Sequence, residues 1–316
     1  MDFREKALSI LHNMEKVIIG KEEVLQKVMV CLLAQGHLLI EDVPGVGKTT
    51  MVKALAKSLN LSFSRIQFTP DLMPSDIIGM TLYNKQDGSF SFRKGPVFHQ
   101  IILADEINRT SPKTQASLLQ AMEEGQVTVD DQTYTLKRPF MVLATQNPVE
   151  YQGTFPLPEA QLDRFLMHLS LGYPDVKREV EIMKNHRQDK SLSQISAVAT
   201  EEDLTTMQEE VEQVYAADEI LQYIATIVNT SRNHPDLYLG ASPRASIDLF
   251  RSGKARAYLH GRNYVLPDDV KAVAKEVLGH RMMLSAEARI EGKAMDEVVD
   301  SLIKKTYTPV VKSHEQ

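Results

Sequence analysis

The stretch "EDVPGVGKTT", Glu41 to Thr50, places Gly45, Gly47, Lys48 and Thr49 at the spacing of a backbone loop that wraps phosphate. Successive N–H groups curling into a helix N-terminus make an anion site, and glycine is needed where the backbone approaches closely or takes positive φ. Lys48 would reach the β- and γ-phosphates, and Thr49 would offer its hydroxyl to Mg²⁺. Pro44 fixes one φ and removes a donor, while Val46 and Thr50 complete the curl and its entry into the helix. The strict pattern, Gly-x-x-x-x-Gly-Lys-[Ser/Thr], puts its first glycine at Asp42. An inward carboxylate there would repel a nucleotide at close range, so Asp42 is expected to point away from the phosphates.

Five further residues complete a phosphoryl-transfer set. "IILADE" ends an apolar run on Asp105 and Glu106: the first suits a Mg²⁺ held through water, the second an attacking water. "FMVLATQNP" ends on Asn147, which has donor and acceptor groups to orient that water. "LPEAQLDRF" sets Arg164 just before a strand, where a guanidinium could reach a neighbouring subunit's γ-phosphate. "GASPRAS" sets Arg244 in the first turn of a helix capped by Ser242. A cation there opposes the helix dipole unless an anion compensates, and a bound phosphate would be one. The bland alternatives are a solvated acidic strand end, a turn asparagine and two surface arginines.

These residues need a frame. "HLLIED" (37–42), "SFSRIQF" (62–68), "IILADE" (101–106), "FMVLATQN" (140–147) and "LMHLSL" (166–171) read as strands, several apolar throughout, as when helices cover both faces of a parallel sheet. "SPKTQASLLQAMEEG" reads as a helix with Ser111 as N-cap, Pro112 at its first position and Gly125 just past its end. An open α/β sheet follows, with ligands beyond the carboxyl ends of its strands. "YNKQDGSFSFR", with Asp87-Gly88, and "QVTVDDQTYTLKRP", turning near Asp130-Asp131, read as inserted β-hairpins. The two prolines of "TPDLMPSDIIG" argue against a long helix there. Beyond "GYPDVKRE" the chain reads as helical, with starts at Thr200, Ser242-Pro243 and Pro267. The expected division is an α/β domain, 1–175, and a helical lid, 176–316, with the boundary near Gly172–Lys177.

A chain of 316 residues suits two domains sharing one site. Its 43% hydrophobic and 25% charged residues are ordinary for a globular protein. The N-terminus reads as a charged amphipathic helix rather than a signal peptide, and no uncharged apolar run approaches the roughly 18 residues of a membrane span. A net charge of −6 argues against a nucleic-acid partner. Cys31 stands alone and reads as a buried residue in a reducing, cytoplasmic setting.

Taken together, "LLIEDVPGVGKTT", "IILADEINRTSPKTQASLLQAMEEGQVTV", "VLATQNPVEYQGTFPLPEAQLDRF" and "GASPRAS" resemble the AAA+ ATPases, and within them the MoxR branch. The resemblance runs from about residue 16 to 285. It implies that Gly45 to Thr49 act as the Walker A loop, Asp105-Glu106 as Walker B, Asn147 as sensor 1, Arg164 as a trans-acting arginine finger and Arg244 as sensor 2. "VIIGKEEV" would lie over the adenine through Ile18, Ile19 and Gly20. Arg109 would make a second contact across subunits, and the hairpins would point to a pore or partner. The implied activity is Mg²⁺-dependent ATP hydrolysis in a homo-oligomeric, hexameric ring. That ring would remodel, mature or insert metal into a client protein, beside a separate von Willebrand factor A-domain partner. A DNA-associated motor or loader, and a nucleotide-gated scaffold with little turnover, are the alternatives.

Overall fold

The computed structural model describes residues 3–42, 45–86, 88–147, 153–173, 176–186 and 192–310. Pro44 and Asp87 therefore lie outside the described residues, as does part of the expected domain boundary. Two helices open the chain, α1 (Phe3–Glu15) and α2 (Glu22–Leu33), followed by β1 (Leu38–Glu41), α3 (Lys48–Ser58) and β2 (Phe63–Gln67). A five-residue α4 (Pro74–Ile78) leads into the hairpin β3 (Gly79–Tyr83) and β4 (Phe90–Lys94), then β5 (Ile101–Asp105) and α5 (Pro112–Glu124). The second hairpin, β6 (Gln126–Val129) and β7 (Gln132–Thr135), precedes β8 (Met141–Gln146), α6 (Glu159–Leu162) and β9 (Met167–Leu169).

The five long-range strands form one parallel sheet in the order β2-β5-β8-β1-β9. Their apolar residues divide by alternation. Leu38, Ile40, Leu103 and Leu143 enter one buried cluster, and Leu39, Ile102, Val142 and Ala144 enter the other. Both faces are covered over the central strands β1, β5 and β8, which is why those read as nearly unbroken apolar runs. The sequence patterns at the ends of α5 are borne out: the Ser111 hydroxyl accepts from the Thr114 amide, and Gly125 ends the helix at φ 63°.

Both hairpins are present. The first begins at Gly79, earlier than the "YNKQDG" signal suggested, because Met80, Thr81 and Leu82 also pair across it. The two hairpins touch: Phe92 stacks on Tyr134 at 4.4 Å between ring centroids, and Thr81 donates to the Asp130 carboxylate at 2.7 Å.

From α7 (Val176–His186) the described chain is almost entirely helical: α8 (Glu201–Glu212), α9 (Asp218–Ser231), α10 (Pro243–Leu259), α11 (Pro267–Leu278), α12 (Ala286–Ile290) and α13 (Met295–Lys305). Thr200 caps α8 reciprocally with Asp203. A short two-stranded pairing joins 237–239 to 283–284. The helical segment shares one continuous apolar cluster with α1, α2, α3 and one face of the sheet. Cys31 lies within that cluster, and burial pushes its thiol pKa upward, so it stays protonated. Among the described residues no helix is long and apolar enough to cross a membrane.

Candidate functional site

The carboxyl ends of β1, β5 and β8 open onto a cavity of about 370 Å³. Gly45, Gly47, Lys48, Thr49, Thr50, Asp105, Glu106 and Asn147 all line it. Gly45 and Gly47 take φ 89° and 96°. A Cβ at Gly45 would meet nothing within 4 Å, so the backbone conformation, not lack of space, demands glycine there. Gly47 is the N-cap of α3, whose first-turn N–H groups therefore face the cavity. Ile18 is buried beside Gly47, Ile19 is half-buried, and Gly20 takes φ 69° with the Arg178 guanidinium donating to its carbonyl at 2.6 Å. Val46 packs on the main apolar cluster.

Asp42 faces away from the loop, as expected. Its carboxylate is buried and accepts from the Ser170 hydroxyl at 3.0 Å, from the Gly172 amide at 3.0 Å and from the Leu171 amide. Its carbonyl accepts from Lys48 Nζ at 2.9 Å. The strict-pattern glycine is thus replaced by a residue that ties the end of β1 to the chain leaving β9. Asp42→Ala would leave buried donors unpaired and is expected to cost on the order of 3 kcal/mol. Its melting temperature should fall while nucleotide affinity stays near wild type. A gain in ATP affinity above about tenfold, in a fluorescent-nucleotide titration, would contradict this placement.

The acidic pair is held by partners that the sequence patterns did not single out. The Thr145 hydroxyl, fully buried, donates to Asp105 at 2.6 Å and accepts from the Glu106 amide at 2.9 Å. Arg65 Nε donates to the other Asp105 oxygen at 3.1 Å, and Gln67 Nε2 donates to Glu106 at 2.7 Å. Arg65 and Gln67 stand on one face of β2, with Gln67 in register with Asp105. Two polar residues two apart in the "SFSRIQF" run were the available signal. Arg109 Nη1 lies 3.2 Å from the Glu106 carboxylate of its own chain. Glu106 itself takes φ 58° and ψ 49°, a left-handed conformation rare for a non-glycine and concentrated at functional sites. Just before the loop, the hydrogen bond from His168 holds the Glu41 carboxyl below the usual range.

Thr49 and Asp105 offer hard oxygen donors on one cavity. Among the described residues no group of three or more His, Cys, Asp or Glu side chains gathers as a metal cage. That donor set fits a Mg²⁺ carried mainly by phosphate oxygens and water.

Arg164 and Arg244 are not in this cavity. They line a second cleft, of about 260 Å³, with Gly36, His37, Phe140 and Met141, which stand at the amino ends of the strands. Six-residue β8, at roughly 3.3 Å per residue, separates the two ends by about 17 Å. The lid therefore does not carry Arg244 to the phosphate loop of its own chain. It carries Arg244 to Arg164. Both guanidiniums meet the Glu123 carboxylate, at 3.0 Å from Arg164 and 3.2 Å from Arg244. Ser242 does not cap α10 through its side chain. Its hydroxyl donates instead to Asp163 at 3.2 Å. Arg138 and Arg251 line the same cleft, and His37, pushed down to about 4 chiefly by burial, adds no charge at neutral pH.

The cavity and the arginine cleft thus sit at opposite strand ends of one sheet. Residues 37–167 match the ATPases associated with various cellular activities (AAA), and residues 229–302 match an AAA lid domain. The chain is 50% identical to the YeaC protein of Bacillus subtilis (strain 168), over 96% of this chain and 95% of that protein. It is 36% identical to the chaperone MoxR1 of Mycobacterium tuberculosis, covering 95% of this chain and 82% of MoxR1. A crystal structure of a candidate ATPase from Cytophaga hutchinsonii superposes with a TM-score of 0.91 at 40% identity, over 98% of this chain and 96% of that one.

Proposed function

The chain belongs to the MoxR family of AAA+ ATPases, and from that premise we propose that it hydrolyses ATP at a seam between two copies of itself. The observation that carries this reading is the separation of the two halves of the site: phosphate loop and acidic pair at one end of the sheet, Arg164 and Arg244 at the other. A head-to-tail contact brings the arginine end of one copy to the loop of the next. Such a heterologous contact closes into a ring when its rotation permits, and a hexamer is the assembly the family resemblance implies.

In this reading the loop amides and Lys48 hold the triphosphate, and Ile18 to Gly20 flank the base. Thr49 and Asp105 would hold Mg²⁺, which supplies charge neutralisation between the β- and γ-phosphates. Glu106 accepts a proton from the attacking water, and Asn147 orients that water. The neighbour's Arg164 and Arg244 stabilise the charge that spreads over the transferring phosphoryl group. We further propose an α/β domain (1–175) followed by a lid (176–316), with the boundary near 172–177. The work done is remodelling, maturation or metal insertion on a client protein, beside a separate von Willebrand factor A-domain partner. Likeness to a chaperone supports the first part of that proposal.

A shared seam makes activity depend on assembly. Phosphate release per subunit, with ATP and Mg²⁺, should rise with protein concentration to a plateau. A rate per subunit that is flat from the lowest concentration measured, in protein shown to be monomeric, would refute the shared seam.

A further inference from the structure

We propose that Glu123 is a positioning residue that stands in for the neighbour's γ-phosphate, holding Arg164 and Arg244 together until a triphosphate displaces it. This inference rests on the shared-seam reading above.

The geometry is specific. One carboxylate spans two guanidiniums, at 3.0 and 3.2 Å, and these come from the α/β segment and the helical segment respectively. Each partner of the Glu123–Arg244 pair is misplaced on its own helix. Glu123 lies in the last turn of α5, where the dipole disfavours an anion, and Arg244 lies in the first turn of α10, where it disfavours a cation. Neither residue suits its helix alone; each compensates the other. Glu123 therefore occupies the role of the anion that Arg244's position calls for. All three side chains remain partly open to solvent, at 42%, 28% and 41% exposure for Glu123, Arg164 and Arg244. An incoming polyanion can thus exchange with a carboxylate. Arg138 and Arg251 on the same cleft leave it cationic once Glu123 lets go.

A stand-in has a consequence that a simple tie between segments lacks: it competes with the seam it prepares. Removing its charge should make assembly-dependent turnover easier to reach. The test is Glu123→Gln in the full chain, with phosphate release measured against subunit concentration at fixed ATP and Mg²⁺. The concentration giving half-maximal release should fall by about three- to tenfold, the range that two part-exposed ion pairs can supply. Glu123→Asp should move the midpoint back towards wild type. Placed on an Arg164→Ala, Arg244→Ala background, Glu123→Gln should produce no such shift in the assembly midpoint followed by light scattering. An unchanged or higher midpoint in the single variant overturns the proposal, as does the same shift on the arginine-free background. A wild-type rate that is itself independent of concentration would instead strike the shared seam, and so the two failures are distinguishable.

Discussion

Glu106→Gln is expected to bind ATP within a few-fold of wild type while its hydrolysis falls by about 10²- to 10⁴-fold, the range for loss of a positioned general base. The substitution keeps size and hydrogen-bonding reach but removes the proton acceptor. Its main-chain conformation is retained, because the unbranched glutamine enters φ 58° about as readily as glutamate. Gln67 at 2.7 Å can still bond the new amide oxygen, and the Glu106 main-chain amide keeps its bond to Thr145 at 2.9 Å. The ion pair with Arg109 is lost, and at 44% exposure of that arginine it contributes little to stability. Folding and binding should therefore survive, and the chemical step should not. Single-turnover phosphate release, beside a fluorescent-nucleotide titration, separates the two. Turnover near the wild-type level would remove Glu106 from its assigned role.

Arg164→Ala should act as strongly on turnover, through a different copy of the chain. Removing one preorganised donor from a developing oxyanion typically costs about 10²–10³ in rate, and arginine fingers in phosphoryl transfer reach about 10³–10⁵. Arg164 lies at the end of the sheet opposite its own phosphate loop, so that loop should load nucleotide normally. Loss of kcat with nearly unchanged nucleotide binding is the expected pattern. Arg244→Ala should lose less, because it is the second of two cations meeting one group.

Much of this site could be read along the chain because its parts are local. Gly45 to Thr49 announce themselves by spacing, and Asp105-Glu106 and Asn147 by closing apolar runs. What could not be read was which strands become neighbours. Arg65 and Gln67 matter only because β2 lies beside β5, and Thr145 only because β8 lies on the other side of β5. Periodicity reports which face a residue takes, not who stands next to it. The placement of Arg244 fails to show for the same reason. Its helix start at Pro243 is plain in the sequence, yet the end of the sheet it reaches depends on lid packing over α2 and the main cluster. Asp42 was legible by exclusion: a carboxylate where the pattern wants glycine must look elsewhere. The donors it found, at 170–172, lie over a hundred residues away.

The most direct measurement mixes two inactive proteins. Lys48→Ala lacks the loop cation and Arg164→Ala lacks the finger, and each alone should release little phosphate. Combined in equal amounts and allowed to exchange, about one head-to-tail contact in four pairs an intact loop with an intact finger. Turnover should then recover to about a quarter of wild type. No recovery at all, in mixtures shown to co-assemble, would mean that each copy completes its own site.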